Sequence, residues 1–171
     1  MVRPSYIRRS DIPDAANVVA GINAICAEGG AFYTTHFVSS RQWQQVLYQP
    51  EAVPDHLLIV AERDNLFMGA GRLFPGKGNT LSQHVAELGM FVLEPYRRQG
   101  VGTQMLAWIL NWASGTGIEK VTLSVFATNQ PALHLYHKFN FIQEGRLQRH
   151  IKLNNEYIDF LLMSRFLQFS D

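Results

Sequence analysis

The chain contains a single cysteine, Cys26, among its 171 residues, so no disulfide can form within it. A lone thiol is typical of a reducing compartment, and we expect Cys26 to be a buried structural residue on a helix face. The N-terminus lacks the apolar core of a signal peptide, and no run approaches the roughly 20 apolar residues that span a bilayer. We therefore expect a cytoplasmic protein that does not contact a membrane.

The chain also lacks an excess of charge of either sign, because 15 Lys and Arg stand against 14 Asp and Glu. A strongly basic surface is what nucleic acids require, so we expect no nucleic-acid partner. His134, His137 and His150 show no spacing with Cys or carboxylates that is typical of a metal site, and we predict that no metal is bound.

With 47% apolar residues, the chain can bury a substantial core. No repeat, low-complexity tract or linker divides it, and we expect one domain over residues 1–171. Apolar periodicity predicts strands over residues 6–8, 56–62, 67–74, 84–93, 120–126, 141–151 and 157–165. A helix capped by Asp11 runs to Gly29, and further helices are predicted over residues 40–48, 100–113 and 130–139.

The stretch EPYRRQGVG, residues 94–102, lies between an apolar strand and an amphipathic helix. Glycines at a helix start let a phosphate approach unpaired N–H groups and the positive end of the helix dipole. The loop lacks the Gly-Lys-Ser/Thr of a Walker A motif. A dinucleotide fingerprint would place its third glycine at Met105 and an acidic ribose ligand near Lys120, so neither phosphate-binding motif fits.

The sequence from Arg97 to Gly102 resembles the R/Q-x-x-G-x-G/A motif of the GNAT superfamily of acyl-CoA-dependent N-acetyltransferases. A second segment is similar to the family's N-x-x-A-x-x-L-Y-x-K-x-G-F signature, at Asn129, Ala132, Leu135, Tyr136, Lys138 and Phe141. Asn140 stands where the family has glycine, and Asn readily replaces Gly at positive φ. The resemblance implies an α/β fold with one mixed, twisted sheet of about six to seven strands, flanked by about four helices.

The resemblance implies that acetyl-CoA is the co-substrate. Its pantetheine arm is expected along the backbone of Met90, Phe91 and Val92. Its pyrophosphate is expected on backbone amides at the loop, helped by the Arg97 and Arg98 side chains and the Thr103 hydroxyl; the loop residues are Arg97, Arg98, Gln99, Gly100, Val101, Gly102 and Thr103. Asn129 is expected to bond the pantetheine arm, to cap its helix, or to do both.

The resemblance makes Tyr136 the expected general acid, near the thioester sulfur. For the general base we expect Glu87, the sole carboxylate in the apolar strand entering the site, with a pKa raised by burial. Two alternatives stay open, since Glu87 can equally be an edge carboxylate paired to an arginine, and a water chain can replace a dedicated base. His84 lies three positions away and faces the other side of a regular strand.

For the acceptor pocket, Phe32, Tyr33, His36 and Phe37 are candidate wall residues, and core packing is an equal alternative for these aromatics. The expected function is acetylation of a primary amine, of an amino acid or a related small molecule. Protein or peptide N-terminal acetylation and a non-catalytic acyl-CoA-binding sensor domain are the alternatives. The resemblance also makes a homodimer a reasonable expectation.

Overall fold

The computed structural model describes residues 5–32, 34–76 and 80–167, in which seven strands form one sheet with four α-helices around it. The strands are β1 (Tyr6–Arg9), β2 (Leu57–Arg63), β3 (Leu66–Pro75), β4 (Val85–Val92), β5 (Lys120–Phe126), β6 (Ile142–Leu153) and β7 (Glu156–Phe166). The helices are α1 (Ala15–Glu28), α2 (Arg41–Tyr48), α3 (Val101–Ser114) and α4 (Gln130–Lys138). The predicted α/β class, strand number and helix number are confirmed.

Most predicted elements lie within two residues of their observed bounds, and the start of α1 differs. Asp11 caps a 3-10 helix, Ile12–Asp14, which runs directly into α1, and the N–H of Ile12 donates to the Asp11 carboxylate. Cys26 is buried on α1 as predicted, and burial raises the pKa of its thiol. β3 ends at Pro75, and residues 77–79, between β3 and β4, lie outside the described residues.

Two tight hairpin turns set the register of neighbouring strands. Asp64 and Asn65 join β2 to β3 with φ of 51° and 64°, and Asn154 and Asn155 join β6 to β7 with φ of 49° and 63°. Two successive residues at positive φ match the twist of antiparallel strands, and Asn and Asp tolerate this region better than other non-glycine residues. Both turns lie between strands that the sequence predicts, over residues 56–62 and 67–74 and over residues 141–151 and 157–165.

The order of strands in the sheet is β1-β2-β3-β4-β5-β7-β6, and β4 and β5 are parallel where they meet. They pair only at their beginnings, where residues 85–87 face residues 120–122. Further along, β4 keeps its pairing with β3 up to Val92, and β5 keeps its pairing with β7 up to Phe126. The sheet therefore opens into a wedge between residues 88–92 of β4 and residues 123–126 of β5.

The two faces of the sheet are covered by different helices. Apolar residues of α1 and α2 pack on one face against β2, β3 and Phe91 of β4. Residues of α3 and α4 pack on the other face, in the cluster that contains Ala86 and Leu88 of β4 and Leu123 and Val125 of β5. The wedge is thus bordered by one pair of helices on each side of the sheet.

Candidate active site

Backbone groups of β4 face the open wedge at alternate residues. The N–H of Leu93 donates to the Met68 carbonyl, and the N–H of Gly76 donates to the Val85 carbonyl. Odd-numbered residues of β4 therefore pair with β3, because hydrogen-bonding direction alternates along an antiparallel strand. The backbones of Met90 and Val92 consequently face the wedge, whereas that of Phe91 faces β3. Of the three residues expected along the pantetheine arm, only these two present backbone groups to the gap.

The loop that enters α3 has the backbone of an anion-binding turn. Arg98 and Gly100 both lie at positive φ, 58° and 81°. Gly100 is the N-cap of α3 and offers no side chain, so no side-chain acceptor occupies the N–H groups of the first turn. Those N–H groups, including that of Thr103, and the helix dipole are left to attract a negatively charged group.

Gly102 lies in the first turn of α3, next to the residues that border the wedge. A Cβ built there would lie 3.4 Å from Leu135 of α4, 3.7 Å from Met90 and 3.8 Å from Val92. These are ordinary van der Waals distances, so the first turn of α3 lies against β4 and α4, beside the residues whose backbones face the gap. The positive φ of the turn belongs to Gly100.

The side chains of the loop fasten it to the rest of the protein. Arg97 donates to both carboxylate oxygens of Glu28, at 2.9 and 2.7 Å, and its Nε donates to the Val92 carbonyl at 2.8 Å. Gln99 accepts from Arg63 at 2.8 Å and donates to the Pro95 carbonyl at 2.9 Å. The Arg97 guanidinium is thereby committed to the Glu28 carboxylate, so we do not expect it to bind phosphate.

The second predicted segment forms α4 and the turn after it. Asn129 caps α4, since its side-chain oxygen accepts from the Ala132 N–H at 3.3 Å. Asn140 has φ of 60°, which confirms the prediction that asparagine replaces a glycine of positive φ there. Its N–H donates to the His137 carbonyl, and the Phe141 N–H donates to the Tyr136 carbonyl. These two hydrogen bonds close the C-terminal end of α4, the helix that carries Tyr136.

Tyr136 is buried, with 8% of its surface exposed, and its ring packs against Phe141 at 5.7 Å between centroids. It belongs to the same apolar cluster as Leu88 of β4 and Leu123 of β5, whose strands border the wedge. No described residue forms a hydrogen bond with its hydroxyl. Burial raises the pKa of Tyr136 to about 12, so the phenol keeps its proton at neutral pH.

A cavity of about 750 Å³ opens on the opposite face of the sheet, between the segment that links α1 to α2 and strands β3 and β4. Phe32, His36 and Phe37 line it, as the sequence predicts for acceptor-site walls, and Tyr33 lies outside the described residues. Phe32 also packs edge-on against Phe91, and Phe37 against Trp43. Met90 lines this cavity as well, so the cavity reaches the strand that borders the wedge.

The environment of Glu87 differs from the predicted one. Its side chain lines the cavity and is 58% exposed, so the expected burial is wrong. The Arg72 Nη2 donates to the Glu87 Oε1 at 2.5 Å. The pairing with an arginine, which the sequence left open, is what the structure contains. The Glu87 carboxylate, paired with Arg72 at the cavity wall, therefore lies next to any molecule that enters the cavity.

Sequence reasoning missed most of the residues that line the cavity, among them Arg72, Trp43 and Gly89. Arg72 carries a signal that was readable, because it is the single charged residue in the predicted apolar strand over residues 67–74. Its contact with Trp43 and Gly89 depends on tertiary packing.

Across the described ranges, no group of three or more His, Cys, Asp or Glu is placed to hold a metal ion. In the same ranges, no helix has the length and apolar character needed to cross a membrane.

Comparison with known proteins identifies a matching family and two similar sequences. The model of the acetyltransferase (GNAT) family matches residues 24–141. A relative from Escherichia coli, "L-amino acid N-acetyltransferase AaaT", is 30% identical over 48% of this chain and 51% of its own length. An "N-alpha-acetyltransferase" from Sulfolobus acidocaldarius is 46% identical over 38% of this chain and 39% of its own length. The chain thus spans about half or less of the length of these two relatives.

Solved structures share the fold over nearly the whole chain. An acetyltransferase of the GNAT family from Streptococcus pneumoniae has a TM-score of 0.85 at 23% identity, covering 96% of this chain and 100% of its own. An acetyltransferase from Salmonella typhimurium, solved with acetyl-CoA, has a TM-score of 0.87 at 15% identity, covering 99% of this chain and 97% of its own. At these identities the similarity establishes the fold.

Proposed function

Because this chain belongs to the GNAT family of acetyltransferases, we propose that it transfers the acetyl group of acetyl-CoA to the primary amine of an amino acid or a related small molecule. One observation carries the proposal. The wedge between β4 and β5 lies beside the uncapped N-terminus of α3, with an acceptor-sized cavity reaching the same strand. A donor and an acceptor that approach from opposite faces of the sheet would meet in the wedge.

The chain's own groups fit the donor. The first-turn N–H groups of α3 suit a pyrophosphate. The Met90 backbone and the Val92 N–H suit the amides of a pantetheine arm, since the Val92 carbonyl already accepts from Arg97. Acetyl-CoA, when bound, supplies an activated acetyl thioester. Asn129 can serve the donor only alongside its capping bond to the Ala132 N–H. The Arg97 side chain holds the loop in shape, and we assign it no direct phosphate contact.

Two side chains can move the protons of the reaction. The Glu87 carboxylate accepts a proton from the acceptor ammonium, and the freed amine forms an N–C bond to the acetyl carbon. The C–S bond breaks, and the departing sulfur takes up the proton of the Tyr136 hydroxyl. The second proton that the nitrogen loses as the amide forms restores that hydroxyl. The raised pKa of Tyr136 keeps that proton in place across the neutral range. Glu87 lines the cavity on one face of the sheet, and Tyr136 lies in the apolar cluster on the other face.

A second candidate is acetylation of a protein or peptide N-terminus. The identity of 46% over 66 residues to the archaeal N-alpha-acetyltransferase favours it. A non-catalytic acyl-CoA sensor is the third candidate, and it would bind acetyl-CoA without releasing a thiol. Turnover with an amino acid, with a peptide, or with neither distinguishes the three.

Calorimetric titration with acetyl-CoA, followed by a thiol-release assay over amino acids, polyamines and short peptides, tests the proposal. We compare Gly100→Asp with Gly100→Ala, because both place a Cβ at φ of 81° and only the first adds negative charge. We expect the alanine variant to keep binding and the aspartate variant to lose it, since a carboxylate repels a pyrophosphate. Acetyl-CoA binding that is equal in the two variants would contradict the proposed phosphate site.

The role of Tyr136 has its own test. We expect Tyr136→Phe to retain acetyl-CoA binding and to lower kcat by about 100-fold, the lower end of what a general acid contributes. Leu135→Met is a matched control on the same helix, because it conserves volume without removing a hydroxyl. A Tyr136→Phe rate equal to the wild-type rate at every pH would remove Tyr136 from the mechanism.

A further inference from the structure

The cavity contains one cation and one anion in walls that are otherwise uncharged. Among the described residues that line it, Arg72 and Glu87 are the ones with formal charge at neutral pH, apart from the titratable His36. The walls include Phe32, Phe37, Trp43, Phe74 and Phe91. Charges beside apolar walls interact more strongly than charges in bulk water. An acceptor that binds in this cavity is therefore selected by whether its charged groups are complementary to Arg72 and Glu87.

The Arg72 side chain is held in place by its neighbours and is 21% exposed. Its guanidinium carbon lies 4.9 Å from the centroid of the Phe74 ring and 5.9 Å from that of Trp43. Arg72 and Gly89 are cross-strand partners, and a Cβ built on Gly89 would lie 3.0 Å from the Arg72 Nε and 3.4 Å from its Cγ. The bare backbone of Gly89 thus makes room for the arginine, and this space accounts for a glycine inside a strand.

Most of the hydrogen-bonding capacity of Arg72 is unused by described residues. A guanidinium carries five N–H donors, and one of them, on Nη2, donates to Glu87. Neither Nε nor Nη1 donates to any described residue. A planar fork of donors, packed on aromatic rings beside an open cavity, is the complement of a carboxylate, which such a fork binds through two parallel hydrogen bonds.

We propose that Arg72 binds the α-carboxylate of a free amino acid while Glu87 receives its ammonium group. The inference rests on the proposed function and names its acceptor class more closely. A free α-amino acid carries both charges on substituents of one carbon, so it can lie head to tail against a neighbouring cation and anion. A peptide N-terminus offers an uncharged amide in place of the carboxylate, and Arg72 would then lose its partner. The aromatic walls suit an apolar side chain.

The test uses the full chain with acetyl-CoA and measures thiol release. It compares kcat/KM for leucine, leucinamide and the dipeptide Leu-Gly. For the wild-type protein we expect leucine to be preferred over both by about 10- to 100-fold, the discrimination that a charged hydrogen bond provides. In Arg72→Gln we expect the preference to fall close to one, because activity on leucine falls by a larger factor than activity on leucinamide. Equal rates for leucine and leucinamide in the wild-type protein would overturn the proposal, as would an unchanged preference in Arg72→Gln.

Gly89→Ala tests the same site with the charge left in place, in case Arg72→Gln does not fold. The added methyl group occupies the space beside the Arg72 Nε, so we expect the preference for leucine to fall while the Kd for acetyl-CoA stays unchanged. Gly117→Ala is the control, because a Cβ there meets no atom within 4 Å. A Gly89→Ala variant with the wild-type preference counts against the proposal. Failure of the wild-type protein to bind acetyl-CoA would contradict the proposed function instead, whereas wild-type thiol release without a preference for leucine contradicts only the role of Arg72.

Discussion

Arg97 holds Glu28 through both carboxylate oxygens, although the two residues lie 69 positions apart in the chain. Glu28 is the last residue of α1, and the segment that follows it carries Phe32 and His36 to the cavity. Arg97 begins the loop that enters α3 and also bonds the Val92 carbonyl beside the wedge. One ion pair therefore connects the wall of the acceptor cavity to the loop expected to bind the donor.

Replacing Glu28 by Gln tests this connection. The two side chains are 37% and 40% exposed, so solvent screens the pair and its contribution is small. We expect the affinity for acetyl-CoA to fall by about two- to fivefold at low salt, and by less at high salt. Calorimetry on Glu28→Gln, Arg97→Gln and the double variant measures the coupling. Additive losses in the double variant would show that the pair does not act as a unit.

Gly69 is expected to be intolerant of any side chain. It pairs with Val92 across the β3–β4 ladder, and an added Cβ would overlap the Phe91 carbonyl oxygen and lie 3.1 Å from the Val92 Cα. Since both neighbours are backbone atoms, the strands must separate, and we expect Gly69→Ala to lower the free energy of unfolding by about 1–3 kcal/mol. Urea denaturation measures the loss, with Gly117→Ala as the control. Equal stability of the two variants would contradict the close approach of β3 and β4.

Tyr136 is expected to make the protein sensitive to alkali. Its pKa is about 12 in the folded protein and near 10.0 when exposed, because burial disfavours the phenolate. Below pH 10 both states keep the proton and stability is unaffected by this group. Above pH 10 the unfolded state releases the proton first, so stability falls as pH rises toward 12, by about 3 kcal/mol in all. Urea denaturation near pH 9 and pH 11.5 should show a smaller loss for Tyr136→Phe than for the wild-type protein.

Asn140 offers a test of the turn behind Tyr136. At φ of 60°, an alanine meets steric strain of about 1–2 kcal/mol that a glycine does not. We expect Asn140→Ala to lower the melting temperature and Asn140→Gly to leave it equal or higher, with acetyl-CoA binding retained in both. Calorimetric melting compares the variants. A more stable alanine variant than glycine variant would mean that the turn does not keep its left-handed conformation.

Local features of the site were predictable because neighbouring residues determine them. The Gly100 turn, the Asn140 turn and the position of Tyr136 on a helix follow from residue type and spacing along a short segment. The exposure of Glu87 was not predictable in this way. It alternates with Ala86 and Leu88, which face the buried side, and which side of a strand is buried depends on the helices that pack there.

The sequence by itself determined the order of strands and helices, their turns and caps, and the family. Only the tertiary structure decided that β4 and β5 pair over three residues and then separate, that Arg97 meets Glu28, and that Arg72 lies over Gly89 beside Glu87. The physical reason is how far apart along the chain the interacting residues lie. Turns and helices depend on dihedral preferences and contacts within a few residues, whereas these meetings depend on strand register and helix packing, which many distant contacts set together.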